Sequence, residues 1–361
     1  MKILMAAGGT AGHINPAIAI AKYIAEAEKP KGCEVLFIGT EAGMEKELVK
    51  QAGFSIEFVE VTGLSKASMK KNISNVGKFI RSYKKTKEII KSFKPDCCVA
   101  TGGYVSGPVI LAAKKMKVKT FIHEQNVIPG LTVKLLARKA DVVLTSFPET
   151  SKYLKKGASI EVVGNPIRTE ILETGYEEAR KRLKLSEKPC VLFFSGSLGA
   201  DRMNDALLGI LAEKRDFSLI AATGKRNYEK VSKKIDELGL KTDGDKILPY
   251  IDNMNDCLAA ADIVVSRAGA LTISEITALG KPSILIPSPN VAHDHQTHNA
   301  RLLADAGAAV MISEANLSSE TLLSEINKLL SDVEGRKRMG EKGRSMGITD
   351  ATNRIYTLMK S

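Results

Sequence analysis

Residues 2–13 read KILMAAGGTAGH, an apolar run that breaks into glycines and ends on a histidine. An apolar run without alternation marks a strand buried on both faces, as in a parallel sheet. Glycines directly after it, before a helix-length amphipathic stretch, describe a strand-to-helix turn. There the backbone can approach a phosphate and the helix supplies unsatisfied N–H groups. The same figure returns at residues 191–200, VLFFSGSLGA. Short β-branched runs alternate with helix-length stretches around both. Lys2–Ala6, Glu34–Ile38, Cys97–Ala100, Thr120–His123 and Val142–Thr145 form one series; Val191–Phe194, Ser218–Ala222, Ile247–Pro249, Ile263–Ser266 and Ser283–Ile286 form a second. Such alternation predicts βαβ units, so the fold class is α/β with two Rossmann-like, doubly wound parallel-sheet domains.

Each half also has a later strand ending in a small-residue loop, TGGY at 101–104 and SRAGA at 266–270. Ligands collect at the carboxyl ends of strands in such sheets, so the four loops are expected to rim one central cleft between facing domains. The turn Gly164-Asn165-Pro166 is the natural linker. It gives an N-terminal domain of 1–165 and a C-terminal domain of 166–344, with a terminal helix of about 345–361 packing back on the first.

The chain has 361 residues and 44% hydrophobic content, enough for two ordinary cores. No apolar run approaches the roughly 18 residues needed to cross a bilayer, and the amino end lacks the regions of a signal peptide. A cytoplasmic protein is expected. The five cysteines form no CxxC and no zinc spacing, which fits buried thiols in a reducing compartment. The net charge of +12 favours an anionic partner: nucleic acid, an acidic membrane or a phosphorylated substrate. The absence of Trp and of any RNA-binding signature weighs against nucleic acid. A dinucleotide is disfavoured too. The first loop fits GxGxxG only if Ala7 replaces a glycine, and the second strand ends Ile38-Gly39-Thr40 without the acid that holds an adenosine ribose.

Seven segments in order narrow the reading: GGTAGH at 8–13, TGGYVSGP at 101–108, HEQN at 123–126, GNPIR at 164–168, SGSLGA at 195–200, SRAGALTISE at 266–275 and DHQTHNA at 294–300. Together they resemble the motif set of the MurG family within glycosyltransferase family 28, over residues 1 to about 345. The resemblance implies a GT-B fold without metal or other cofactor. It implies inverting transfer of N-acetylglucosamine from UDP-N-acetylglucosamine to the C4 hydroxyl of the muramyl sugar of lipid I, giving lipid II for peptidoglycan. Such an enzyme would be peripheral on the cytoplasmic face of the cell membrane. The donor would sit on the C-terminal half and the acceptor diphosphate on the N-terminal half. Motif by motif, donor contacts fall at Thr10, Ala11, Gly12, Asn126, Arg168, Ser197, Ile251, Ala270, Leu271, Thr272, Ile273, Ser274, Glu275 and Gln296. Ala11 and Ser195 stand where many relatives have Gly, so neither position should need a left-handed backbone.

Chemistry suits those roles. Glu275 can accept two hydrogen bonds from a ribose diol, and Arg267 is placed to stabilise departing UDP. His13, at a helix amino end whose dipole disfavours imidazolium, is the candidate general base. Glu124 is the alternative base, and a ligand-binding or capping role for His13 competes with both. Two metal mimics, Asp243-Gly244-Asp245 and the cluster His293, His295 and His298 around Asp294, are read as non-metal features. Residues 66–94 carry a net charge of +9. Their cations Lys70, Lys71, Arg81 and Lys84, with Ile73, Val76, Phe79 and Ile80 at helical spacing, read as a docking face for anionic lipid, with Tyr104 on the acceptor side. The competing reading packs that apolar stripe on the sheet. Rival functions are another transferase of the same fold, such as one acting on diacylglycerol, and UDP-N-acetylglucosamine 2-epimerase.

Overall fold

A computed structural model describes residues 1–62, 69–168, 170–196 and 200–361, with side chains from residue 75 onward in the helix Met69–Phe93. The chain divides into two units, Met1–Ile167 with Thr349–Ser361, and Arg168–Ile348. The first holds β1 (Lys2–Ala7), β2 (Glu34–Gly39), β3 (Ser55–Phe58), β4 (Cys97–Gly102), β5 (Lys119–Glu124), β6 (Val142–Thr145) and β7 (Ile160–Val162). Their order is β3-β2-β1-β4-β5-β6-β7 and all pairs are parallel. The second holds β8 (Cys190–Phe194), β9 (Ser218–Ala222), β10 (Lys246–Leu248), β11 (Ile263–Ser266), β12 (Ser283–Leu285) and β13 (Val310–Met311), ordered β10-β9-β8-β11-β12-β13 and again parallel.

In each sheet the chain enters at the strand that the sequence marks with a glycine turn, β1 or β8, builds outward on one side, then crosses to the other with β4 or β11. That reversal is the switch point at which doubly wound sheets bind ligands. The strands absent from the sequence reading, β3, β7 and β13, all lie at sheet edges. Half-exposed edge strands need no continuous apolar run, so β3 (SIEF) and β7 (IEV) carry none.

The opposite, amino ends of the strands are tied by aspartates. Asp96, Asp141, Asp245 and Asp262 each stand immediately before a strand, β4, β6, β10 and β11. Asp96 accepts from the Lys2 amide at 2.7 Å and Asp141 from the Thr120 amide at 2.9 Å. Asp245 accepts from the Leu219 amide and Asp262 from the Cys190 amide, both at 2.8 Å. Each carboxylate thus satisfies an N–H at the start of the neighbouring strand. The terminal helix Ala351–Lys360 belongs to the first unit. Ile355 and Met359 enter the core shared with Ile14, Ile20 and Ile24, and Tyr23 donates to Asn353 at 2.9 Å.

Removing a clip orphans a buried amide, which costs about 1–3 kcal/mol. Asp141→Ala should lower the unfolding free energy of the first unit by that amount, and Asp262→Ala that of the second by at least as much, because the Asp262 pair with Arg180 at 3.4 Å is more buried than the Asp141 pair with Lys114. Urea unfolding followed by circular dichroism measures both; unchanged midpoints would show that the clips contribute nothing.

Candidate active site

In the first unit the carboxyl ends of β1 and β4 meet backbone to backbone. Gly9 has φ 93°, Gly102 119° and Gly103 80°. A Cβ on Gly103 would lie 2.2 Å from the Gly8 carbonyl oxygen, and one on Gly102 2.5 Å from His13 Cδ2. Only glycines permit this approach. Ala11 is the first residue of the helix Ala11–Ala27, with an ordinary helical backbone.

His13 sits in the first turn of that helix, and its main-chain carbonyl accepts from Thr101 Oγ1 at 2.7 Å. Its Nδ1 lies 3.3 Å from the Gly8 carbonyl oxygen and 3.4 Å from Thr10 Oγ1. A carbonyl oxygen only accepts, so Nδ1 carries a proton, and in the neutral form of the ring the lone pair is then on Nε2. Thr10 and Gly12 are exposed, and Ala11 half-buried.

Sequence reasoning missed Glu45, which is fully buried and whose carboxylate ties the β1 loop to the β2 loop. It accepts from the Gly9 amide at 3.2 Å, the Thr40 amide at 2.8 Å and Thr40 Oγ1 at 2.6 Å. The Gly9 N–H is therefore committed to a carboxylate and does not face a phosphate, a correction to the expectation drawn from the glycine turn. The signal was in the sequence as GTEAGME: two glycines leave room for a buried acid, and Cβ atoms built on Gly39 and Gly43 would collide with Glu45.

Glu124 ends β5 and is 3% exposed. It accepts from the Asn126 amide at 2.9 Å, Asn126 Nδ2 at 3.2 Å and the Gly130 amide at 2.8 Å. Burial raises its pKa, and the Asn126 and Gly130 hydrogen bonds oppose the rise. Both oxygens are used to shape the loop, a geometry that favours a positioning role over proton abstraction. Beside it, Gln125 Nε2 donates to the Thr101 carbonyl at 2.8 Å and approaches His123 Nδ1 at 3.0 Å. His123 Nε2 donates to the Gly164 carbonyl at 2.9 Å. Burial pushes the His123 imidazole down to about 4, so it is a neutral structural group.

In the second unit, Gly196 takes φ 87° after β8 while Ser195 keeps an ordinary backbone. Ser197 lies outside the described residues. The hydroxyls of Ser195 and Ser266, at the ends of adjacent strands β8 and β11, are buried with no hydrogen-bond partner among the described residues. Gly269 precedes the helix Ala270–Leu279, whose amino end lies at the carboxyl end of β11. Leu271, Thr272 and Ser274 are half-buried on it, whereas the Ile273 side chain is wholly in the core and can offer only backbone. Ile251 is buried as well. Glu275 and Arg168 meet at 3.3 Å. Burial raises the Glu275 pKa and the Arg168 charge opposes it. Gln296 Oε1 accepts from the Ser288 amide at 2.9 Å, fixing the loop after β12.

Arg267 is held within its own unit. Its guanidinium pairs with Glu314 at 2.5 Å and donates to the Ile286 and Pro287 carbonyls at 3.2 Å. Its charge is paired, so any contact with a leaving diphosphate would be shared with Glu314. Asp245, the second acid of the apparent DxD, is fully enclosed and paired with Arg215. Among the described residues no group of three His, Cys, Asp or Glu is placed to hold a metal ion.

On the helix Met69–Phe93, Ser82, Thr86, Ile89 and Ile90 are buried, while Val76 and Ile80 are 52% and 49% exposed. The apolar pair thus does not pack on the sheet. Phe79 is half-buried and would lie 3.2 Å from a Cβ on Gly107; Arg81 pairs with Glu60 at 3.4 Å, and Lys84 and Tyr104 are exposed. Lys66 and the side chains of Lys70, Lys71 and Ile73 lie outside the described residues. A second exposed pair, Leu131 and Leu135, stands with Lys134 and Arg138 on the first unit. No described helix is long and apolar enough to cross a membrane.

The model of the glycosyltransferase family 28 N-terminal domain matches residues 3–145, and that of its C-terminal domain matches residues 190–355. A protein of Acetivibrio thermocellus named UDP-N-acetylglucosamine--N-acetylmuramyl-(pentapeptide) pyrophosphoryl-undecaprenol N-acetylglucosamine transferase is 45% identical, covering 100% of this chain and 98% of that protein. The chain belongs to glycosyltransferase family 28. The crystal structure of Acinetobacter baumannii MurG matches with TM-score 0.79 and 28% identity over 99% of both chains. A UDP-GlcNAc 2-epimerase of Neisseria meningitidis matches with TM-score 0.69 at 14% identity over 100% of both chains, a likeness of fold alone. Both family 28 domains are thus present, each on a parallel sheet of the GT-B type.

The His123 environment makes this family 28 chain sensitive to acid. The folded pKa of about 4 lies below the unfolded value of about 6.5, so the unfolded chain takes up the proton first. Stability from this group is complete above about pH 6.5 and is lost as pH falls toward about 4, by up to about 3 kcal/mol. Urea unfolding of the first unit across that window should show the slope, and His123→Asn should flatten it. A wild type with no slope would show that the ring is not held neutral.

Proposed function

We propose that the chain transfers N-acetylglucosamine from UDP-N-acetylglucosamine to the C4 hydroxyl of the muramyl sugar of lipid I, forming lipid II with inversion. The observation that carries this reading is the 45% identity, along the whole chain, to a transferase named for that reaction. In this reading the first unit takes the acceptor and the second the donor. His13 Nε2 removes the C4 hydroxyl proton as the oxygen attacks the anomeric carbon and the bond to UDP breaks. Asn126 and Glu124 shape the loop beside the acceptor.

Glu275 and Arg168 serve the donor nucleoside, with the Glu275 carboxylate accepting from the ribose hydroxyls. Thr10 to Gly12, Ile251, Ala270 to Ser274 and Gln296 line or support the same donor. The Ser195 hydroxyl, unpartnered among the described residues, and the helix that begins at Ala270 support an anionic diphosphate near the ends of β8 and β11. The epimerase shares only the fold, and no observation favours it.

Incubation with UDP-N-acetylglucosamine and a soluble lipid I analogue should release UDP, and the donor alone should remain unchanged; conversion of the donor without acceptor would point to an epimerase. His13→Ala should lower turnover about a hundredfold to ten-thousandfold and leave donor affinity nearly intact. Arg168→Ala and Glu275→Ala should each weaken donor binding about tenfold to a hundredfold, as loss of a charged hydrogen bond does. Unchanged calorimetric affinity in both would remove the donor assignment.

The reading also places the enzyme on the anionic cytoplasmic leaflet, through the basic segment 66–94 with exposed Val76 and Ile80. Reversing Lys70, Lys71, Arg81 and Lys84 together should abolish sedimentation with anionic liposomes at low salt while turnover on a soluble acceptor persists. Wild-type sedimentation would move the docking face elsewhere, with Leu131 and Leu135 the next surface to change.

A further inference from the structure

The Gly8–Gly9 peptide group is held at both ends. Its N–H, on Gly9, donates to the Glu45 carboxylate at 3.2 Å. Its carbonyl, on Gly8, faces His13 Nδ1 at 3.3 Å. The peptide cannot turn away, because Gly103 packs against the same carbonyl so closely that a single Cβ there would fall at 2.2 Å. Glu45 is itself fixed from the other side by the amide and hydroxyl of Thr40. Among the described residues no cation pairs with it, and its hydrogen-bond partners are these N–H and O–H donors. Hydrogen bonds in series polarise one another, most strongly in a low-dielectric interior.

We propose that Glu45 is a positioning residue for His13, acting through the Gly8–Gly9 peptide as a carboxylate–peptide–imidazole relay. It rests on the reading of His13 as the base that accepts the acceptor proton. The carboxylate draws on the Gly9 N–H, which makes the Gly8 carbonyl a stronger acceptor. That carbonyl then holds the proton on Nδ1 and keeps the basic lone pair on Nε2. When Nε2 takes the acceptor proton, the same carbonyl stabilises the positive ring. A carboxylate bound directly to an imidazole does this work in hydrolase triads; here one planar amide stands between them. No proton passes along the relay, and Glu45 touches neither substrate.

The arrangement predicts a consequence that mere loop support does not. In protein carrying 15N-labelled histidine, the wild-type His13 ring should give the nitrogen shifts of a single Nδ1–H tautomer at neutral pH, and the Gly9 amide proton should resonate far downfield, as an N–H bound to a carboxylate does. Glu45→Gln keeps the volume, but its amide cannot accept from Gly9 and Thr40 together. The variant should lose the downfield Gly9 proton, show both His13 tautomers in exchange, and lose about tenfold to a hundredfold in kcat with the donor KM little changed. Glu45→Asp, which keeps the charge, should recover part of both.

A wild-type ring protonated on Nε2 overturns the relay without any variant, and so does a Glu45→Gln protein with a wild-type His13 spectrum. Should Glu45→Gln fail to fold, the two wild-type signals still decide. Full turnover in His13→Ala would instead overturn the assignment of the base; with His13→Ala inactive and the Glu45→Gln spectrum unchanged, only the relay falls.

Discussion

The first unit depends on one close approach, that of Gly103 to the carbonyl oxygen of Gly8, in a space that no Cβ could enter. Strands β1 and β4 run side by side, so the turns at their carboxyl ends must either splay apart or touch along the main chain. They touch. Gly102 then leaves room for the His13 ring, Thr101 bonds the His13 carbonyl, and Gln125 bonds the Thr101 carbonyl in turn. From one steric condition a continuous rim of contacts to the main chain extends from β1 to β5. A methyl group at 103 would force these turns apart and separate the histidine from the loops that orient it.

The two edges of each sheet do different work. At the amino edge, charge is consumed: four aspartates bind the amides of neighbouring strands and hold them in step. At the carboxyl edge of the second unit, charge is divided. Arg267 is tied to Glu314 and two carbonyls and becomes part of the frame, whereas Arg168 and Glu275 pair at 3.3 Å with the arginine half exposed. The half-exposed guanidinium can leave its partner at modest cost, whereas the mostly buried Glu275 carboxylate needs a ligand donor in its place, because a buried lone charge is penalised by desolvation. The two arginines stand a few residues from motif glycines and look alike in sequence; the surrounding carbonyls distinguish them.

Much of the fold was legible because its central strands are buried on both faces and spell themselves as unbroken apolar runs. Edge strands β3 and β7 were not, since half-exposed strands carry no such signature; β13 is two residues long. The restart of the pattern near residue 190 and the glycine turns located both switch points. The roles within motifs were less legible. HEQN announces a site, yet whether Glu124 accepts a substrate proton or three hydrogen bonds from its own loop depends on where Asn126 and Gly130 return. Glu45 lies 32 residues from His13, and no local pattern shows that a carboxylate and an imidazole grip opposite ends of one peptide. The aspartate clips, by contrast, could have been read from the repeated acid directly before β4, β6, β10 and β11.

The return of the helix Ala351–Lys360 to the first unit has a consequence for biosynthesis. Ile355 and Met359 complete a core whose other buried members all precede the second unit in the chain, and Tyr356 with Lys360 closes on Glu28 across more than three hundred residues of chain. A polypeptide emerging from the ribosome can finish the sheet of its second unit while the first still shows an apolar flank on the helix Ala11–Ala27. Vectorial folding, which usually favours the earlier domain, is here reversed in its last step. The first unit waits for residues made after the second, and during that interval its uncovered flank is the surface a chaperone would hold.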